Sequence, residues 1–247
     1  MRALRTRFKK EIVAEFLPPR KKSSKAIIFL SGMPAVPCRN QLLEFFSKKG
    51  YWVFYPRYQG SWESGGEFLK KSPEQDALKI INELPKGFKD LWNDKTYKIR
   101  PSKIYLFGGS FGGTGAILAS LSPKVTKAVA FSPVIDWRAE TKAEPHAWYG
   151  KFVKNAFGEA YRFSRTNWMK LKNGKFYSPM YCAKKINGEK IMIIHSKDDE
   201  SVPWKPAVKF SKINGSRLLL IRRGGHFGLG NFMEPKFYKK IKKFLKQ

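Results

Sequence analysis

The stretch that decides the fold is Ile104-Tyr105-Leu106-Phe107-Gly108-Gly109-Ser110-Phe111-Gly112-Gly113-Thr114-Gly115-Ala116-Ile117-Leu118. Its first four residues form an apolar run of strand length, and its last residues read as the start of a helix. Between them lies Gly108-x-Ser110-x-Gly112, in the strand-turn-helix setting that a nucleophile elbow requires. Glycines two residues to either side of the serine let the strand and helix backbones pass without Cβ clashes. The serine oxygen is then held above the sheet edge, and the positive end of the helix favours negative charge there. A P-loop is excluded, because no Lys-Ser or Lys-Thr follows the glycines. A dinucleotide site would want an acidic residue after the next strand, where Ser132-Pro133 stands instead.

Outward from this point, five further apolar runs read as strands: Ala26–Leu30, Trp52–Tyr55, Lys127–Phe131, Lys190–His195 and Arg217–Ile221. With Lys103–Phe107 they make six. They are continuous rather than alternating, as parallel strands covered on both faces should be. Between them lie helical patterns. Leu42, Phe45 and Phe46 share one face; so do Ala77, Ile80, Ile81 and Leu84; so do Phe237, Ile241, Phe244 and Leu245. This alternation predicts a single domain over 1–247, an α/β fold with a doubly wound, mostly parallel sheet and function gathered at the strands' carboxyl ends. Residues 138–185 break the alternation and are expected to form a small helical insert or lid. Arg2–Pro18 is left open, with antiparallel edge strands as one reading.

The chain has 247 residues, 42% of them hydrophobic, enough to build a large core and to exclude a disordered protein. Lys and Arg number 49 against 19 Asp and Glu, a net charge of +30. The excess is spread along the chain with no RNA-module motif, so a solvated basic surface is expected rather than a specific nucleic-acid site. No apolar run is long enough for a transmembrane helix, and no signal peptide is read at the basic N-terminus. A cytoplasmic protein is expected. The two cysteines, Cys38 and Cys182, are expected to be reduced and buried.

A serine hydroxyl needs a base. There are three histidines, His146, His195 and His226. His226 lies between glycines in Arg223-Gly224-Gly225-His226-Phe227-Gly228, after the last strand, and is the first choice. His146, in the insert, is the reserve; His195 ends a buried run and reads as structural. An acid must orient the imidazole. The loop after the fifth strand offers Asp198, Asp199 and Glu200, in the order serine, acid, histidine that an α/β-hydrolase uses. Asp136 is another possible acid. No cofactor is called for, and a metal site is not expected, since the histidines are few and scattered with no HExxH.

The chain resembles the α/β-hydrolase superfamily and, more closely, the catalytic domain of the prolyl oligopeptidase family without its propeller. Tyr55–Gly66, Gly108–Gly113, Phe131–Trp137, His195–Pro203 and Gly224–Gly228 carry the likeness in the family's order. In that family the acid lies four residues before the Val-Pro proline, which implies Asp199. The segment Leu30-Ser31-Gly32-Met33-Pro34 resembles the one that supplies an oxyanion-hole N–H, which implies the amides of Met33 and Phe111. Ser31 stands where a histidine is common.

These residues together predict a serine hydrolase cleaving a carboxylic ester or a short peptide or amide bond through an acyl-enzyme on Ser110. The catalytic set is Ser110, Asp199 and His226, and Trp62, Trp137 and Trp148 are candidate substrate-binding residues. The expected partner is a small ester or short peptide. The rival reading is a non-catalytic protein on the same fold, binding polyanions or a membrane surface.

Overall fold

The computed structural model describes residues 2–37 and 39–247. Eight strands form one sheet: β1 (Leu4–Phe8), β2 (Ile12–Leu17), β3 (Lys25–Leu30), β4 (Trp52–Pro56), β5 (Lys103–Gly109), β6 (Lys127–Phe131), β7 (Ile191–Ser196) and β8 (Arg217–Ile221). Their order across the sheet is β1-β2-β4-β3-β5-β6-β7-β8. From β4 to β8 every pairing is parallel, while β1 and β2 pair antiparallel with each other and β2 runs antiparallel to β4. The segment left open in the sequence is therefore an antiparallel extension of the sheet. Three of the six expected strands are longer than read, and the fifth is shifted by one residue.

The continuous apolar runs are explained by the two cores. Along β3, Ala26, Ile28 and Leu30 belong to one apolar cluster, and Ile27 and Phe29 to the other. Successive side chains point to opposite faces of a strand, so both faces must be covered. One face is covered by α1 (Asn40–Lys48) and α7 (Pro235–Lys246) through Leu42, Leu43, Phe46, Phe237, Ile241 and Phe244. The other is covered by α2 (Glu74–Glu83), α3 (Phe111–Ala119) and α6 (Lys205–Asn214), through Ala77, Ile80, Ala116, Ile117, Ala207 and Phe210. Each fully buried Phe contributes about 1.5–3 kcal/mol of transfer free energy, which makes this aromatic packing the main source of cohesion.

Between β6 and β7 the chain forms α4 (His146–Phe157), α5 (Arg165–Met169) and short 3₁₀ turns. Val153 and Trp168 anchor this segment in the same apolar cluster as α2, α3 and α6. A buried ion pair holds the antiparallel extension. Arg57 Nη1 donates to Glu15 Oε2 at 2.5 Å and Nη2 to Oε1 at 2.6 Å, with both side chains almost fully enclosed. Arg5 Nη2 also donates to Glu15 at 2.9 Å and Glu63 lies 2.6 Å from Arg57 Nε, so the pair belongs to a four-residue network. Cys182 is only half-buried, since it sits on a 3₁₀ turn at the edge of the core it packs against. The expectation for Cys38 lies outside the described residues. No helix among the described residues is long and apolar enough to cross a membrane.

Candidate active site

Ser110 follows β5 and precedes the first residue of α3, with φ 53° and ψ −123°. A non-glycine residue in this region stores strain of about 1–3 kcal/mol, which persists only where the surroundings hold it. The reason for the flanking glycines is measurable. A Cβ on Gly108 would lie 2.2 Å from the Gly112 carbonyl oxygen, and one on Gly112 would lie 2.0 Å from the Leu30 oxygen. Only glycine lets strand, turn and helix approach this closely. The Ser110 N–H donates to Phe131 O at 2.8 Å, which extends the β5–β6 ladder through the turn.

The loop carrying His226 is tied to the sheet at several points. Asp198 accepts from Gly224 N at 3.0 Å and from Gly225 N at 2.9 Å. Phe227 N donates to Ser132 Oγ at 3.1 Å. A Cβ on Gly109 would come within 3.1 Å of Gly228 Cα, so the loop passes against the strand that ends at the serine. His226 Nδ1 lies 2.9 Å from Asp199 Oδ2 and 3.0 Å from Oδ1. Its ring is partly exposed while the Asp199 side chain is fully enclosed.

Asp199 is heavily coordinated. Ser201 N and Val202 N donate to its Oδ1 at 3.1 and 2.9 Å. His195 Nε2 lies 3.3 Å from its Oδ2 and 3.1 Å from Val202 O. Burial by itself would raise the carboxyl's pKa. The hydrogen bonds from His195, His226 and Val202 outweigh it and hold the group well below the usual carboxylate range. The adjacent carboxylates thus divide their work: Asp198 fastens the glycine loop and Asp199 meets the imidazole. Asp136 is engaged by Arg138, whose Nε and Nη2 donate at 2.9 and 2.8 Å.

Two cavities open on Ser110. One, of about 280 Å³, is lined by Ser110, His226, Met33, Tyr55, Tyr149 and Leu229 among others. The other, of about 50 Å³, is lined by Ser110, Phe111, Met33, Trp137, His146 and Val202 among others. The structure therefore brings Ser110, His226, Asp199, Met33, Phe111 and Trp137 to one region. Among the described residues the Ser110 hydroxyl makes no hydrogen bond, to His226 or to any other group, and Ser110 lines both cavities. Phe111 opens α3, where the first amides have no intrahelical carbonyl to meet.

Two of the three tryptophans lie elsewhere. Trp62 Nε1 donates to Ala35 O at 2.9 Å, and Trp148 is half-exposed and stacked on Phe152. Neither lines a cavity that holds Ser110. On α4, His146 and Tyr149 face inward, and the turn of about 100° per residue then carries Trp148 outward. Two contacts have no counterpart in the sequence reading. His195 reaches Asp199, and the Tyr149 hydroxyl donates to Met33 O, fastening α4 to the loop after β3. The first had a signal, a histidine four residues before the acid on the same strand end; the second had none. His146, the reserve base, stacks on Trp168, and neither of its ring nitrogens has a partner. Burial, with Lys172 adding to it, pushes its pKa down to about 4. Among the described residues no group of three His, Cys, Asp or Glu side chains is placed to hold a metal ion.

A sequence model described as the prolyl oligopeptidase family matches residues 39–247. No curated protein matches the chain. Among solved structures, acylaminoacyl peptidase from Pyrococcus horikoshii shares 18% identity with a TM-score of 0.64 over 99% of this chain and 40% of its own. An esterase from Pyrococcus furiosus shares 18% with a TM-score of 0.69, over 99% of this chain and 90% of its own. A monoacylglycerol lipase from Paleococcus ferrophilus shares 16% with a TM-score of 0.66, over 95% and 98%. The chain thus spans about two fifths of the length of the acylaminoacyl peptidases it resembles. At these identities the likeness establishes the α/β-hydrolase fold.

Proposed function

Because the chain belongs to the prolyl oligopeptidase family, a family of serine hydrolases, we propose that it cleaves a carboxylic ester or a short peptide or amide bond through an acyl-enzyme on Ser110. The observation that carries this reading is the strained Ser110, which opens into the same cavity as His226, the ring fixed by buried Asp199.

His226 Nε2 takes the Ser110 proton as Oγ bonds to the acyl carbon, and the carbonyl electron pair moves onto oxygen. The Met33 and Phe111 amides hold that oxyanion. Losing one such donor typically costs about 10²–10³ in turnover. The tetrahedral centre then expels the leaving group, which takes the proton from the imidazolium. A water gives its proton to His226, attacks the acyl carbon, and the departing Oγ recovers the proton. Asp199, ionised throughout, keeps Nδ1 protonated and the ring in register.

Trp137 forms one wall of the smaller cavity beside Ser110, where the acyl side of the substrate sits. Residues 138–185 act as a roof, with Glu144 and Tyr149 facing the larger cavity. The dimensions favour small esters and short peptides over long chains.

A fluorophosphonate probe should label the chain at Ser110, and Ser110→Ala should lose both label and turnover. A panel of acyl esters, aminoacyl amides and prolyl amides separates esterase from peptidase. No labelling and no hydrolysis anywhere in the panel would overturn the proposal.

A further inference from the structure

On the outward faces of α4 lies a surface that the proposed reaction does not use. A cleft of about 400 Å³ is lined by Ala147, Lys151, Lys154, Arg165, Trp168 and Met169, with Gly150 and Phe163 in its floor. Phe163 and Trp168 are buried, and their rings stack at 5.0 Å. Lys151, Lys154 and Arg165 are exposed, and among the described residues none has a carboxylate within ion-pair distance. Lys154 Nζ sits 5.2 Å above the Phe163 ring.

Beside the cleft, Trp148 and Phe152 lie four apart on the same helix, so they share a face, with Lys151 between them and the cleft. They are 50% and 37% exposed, and their rings are parallel at 5.2 Å. Met169, on the rim, is 46% exposed. Three large apolar side chains thus stand in water among three unpaired cations, on a chain of net charge +30.

We propose that this α4–α5 surface docks on an anionic phospholipid bilayer. The indole of Trp148 and the ring of Phe152 enter the interfacial layer, where an amphipathic ring is at its most stable. Lys151, Lys154 and Arg165 meet headgroup phosphates round the cleft. Charge alone would suit any polyanion, but a polyanion that offers only charge leaves Trp148, Phe152 and Met169 wet, whereas a bilayer covers all three while its charge complements the lysines. Trp148 and Phe152 also lie beside Tyr149, with ring centroids 6.4 and 6.1 Å away, so the docking face adjoins the wall of the Ser110 cavity that Tyr149 supplies.

The test is co-sedimentation of the full chain with extruded vesicles at about 0.15 M salt. Mixed phosphatidylglycerol–phosphatidylcholine vesicles should bind it and pure phosphatidylcholine vesicles should not. The double variants Lys151→Glu/Lys154→Glu and Trp148→Ala/Phe152→Ala should each lower the partition coefficient at least about tenfold. Lys242→Glu/Lys243→Glu, the same charge change on exposed residues of α7, should change it less than about twofold. All four positions in the test pairs are exposed, so melting temperatures should stay close to that of the parent chain; a pair that does not fold leaves the other to decide. Equal loss in the α7 pair would mean bulk charge and overturn the proposal. So would binding that ignores Trp148→Ala/Phe152→Ala, or a single-stranded oligonucleotide bound in preference to the vesicles through the same residues.

Discussion

His226 Nδ1 lies 2.9 Å from Oδ2 of an Asp199 side chain that is completely enclosed, and the same oxygen is approached by His195 Nε2 at 3.3 Å. One carboxylate thus serves two imidazoles, one partly exposed and facing the cavity, one sealed in the sheet. If the ring of His226 works as base, its tautomer depends on that carboxylate being charged. Asp199→Asn should therefore lower kcat by about 10³–10⁴ with KM little changed, measured on the best ester of the panel. An unchanged kcat would remove Asp199 from the reaction.

The neighbouring carboxylate gives a contrasting prediction. Asp198 touches backbone N–H groups of Gly224 and Gly225 rather than the ring. Asp198→Ala should loosen the loop and lower kcat by about tenfold, far less than Asp199→Asn, with a small loss of melting temperature. A loss as large as that of Asp199→Asn would reverse the two roles.

These two aspartates also show how far the sequence could be read. The elbow was legible because its cause is local: a strand, a forced turn and a helix leave only glycine at 108 and 112, and that constraint is written in the chain itself. The sheet was legible for a similar reason, since strands buried on both faces lose their polar alternation. Adjacent aspartates carry no such mark. Only the fold decides which one points at the loop backbone and which at the ring, and the choice of Asp199 came from a resemblance, not from spacing. Trp148 and Trp137 look alike in sequence too. One falls outward on α4 and the other inward at the cavity, because the phase of a helix within an irregular segment depends on tertiary packing. The contact of Tyr149 with Met33 spans more than a hundred residues and has no local signature.

The glycines of the elbow can be tested directly. Gly112→Ala would put a methyl 2.0 Å from the Leu30 oxygen, and Gly108→Ala would put one 2.2 Å from the Gly112 oxygen. Both obstacles are backbone, so the methyl cannot be relieved by turning a side chain. Each variant should lose several kcal/mol of stability, on the order of the largest single-site effects, and should lose fluorophosphonate labelling. Denaturant unfolding and probe labelling measure the two outcomes. A stable, fully labelled Gly112→Ala chain would contradict the elbow geometry.

The buried carboxyls predict opposite responses to pH. Asp199 has its pKa lowered by folding, so its contribution to stability is present above the unfolded value of about 4 and fades as pH falls below it. Asp76 behaves in the reverse sense. Burial raises its pKa to about 6, against which the Gln59 N–H at 2.8 Å and Lys79 at 3.4 Å work only in part. The native state therefore takes up a proton on Asp76 between about pH 6 and pH 4 that the unfolded chain does not hold, and the cost of its buried charge disappears over that window. Asp76→Asn keeps an oxygen to accept from Gln59 and carries no charge. It should melt at or above the parent's temperature at pH 7.5, and the difference should shrink steadily as pH falls from 6 to 4. Thermal melts of both chains across that range measure it. A variant that is less stable at pH 7.5 and recovers on acidification would mean that the ion pair with Lys79 outweighs burial.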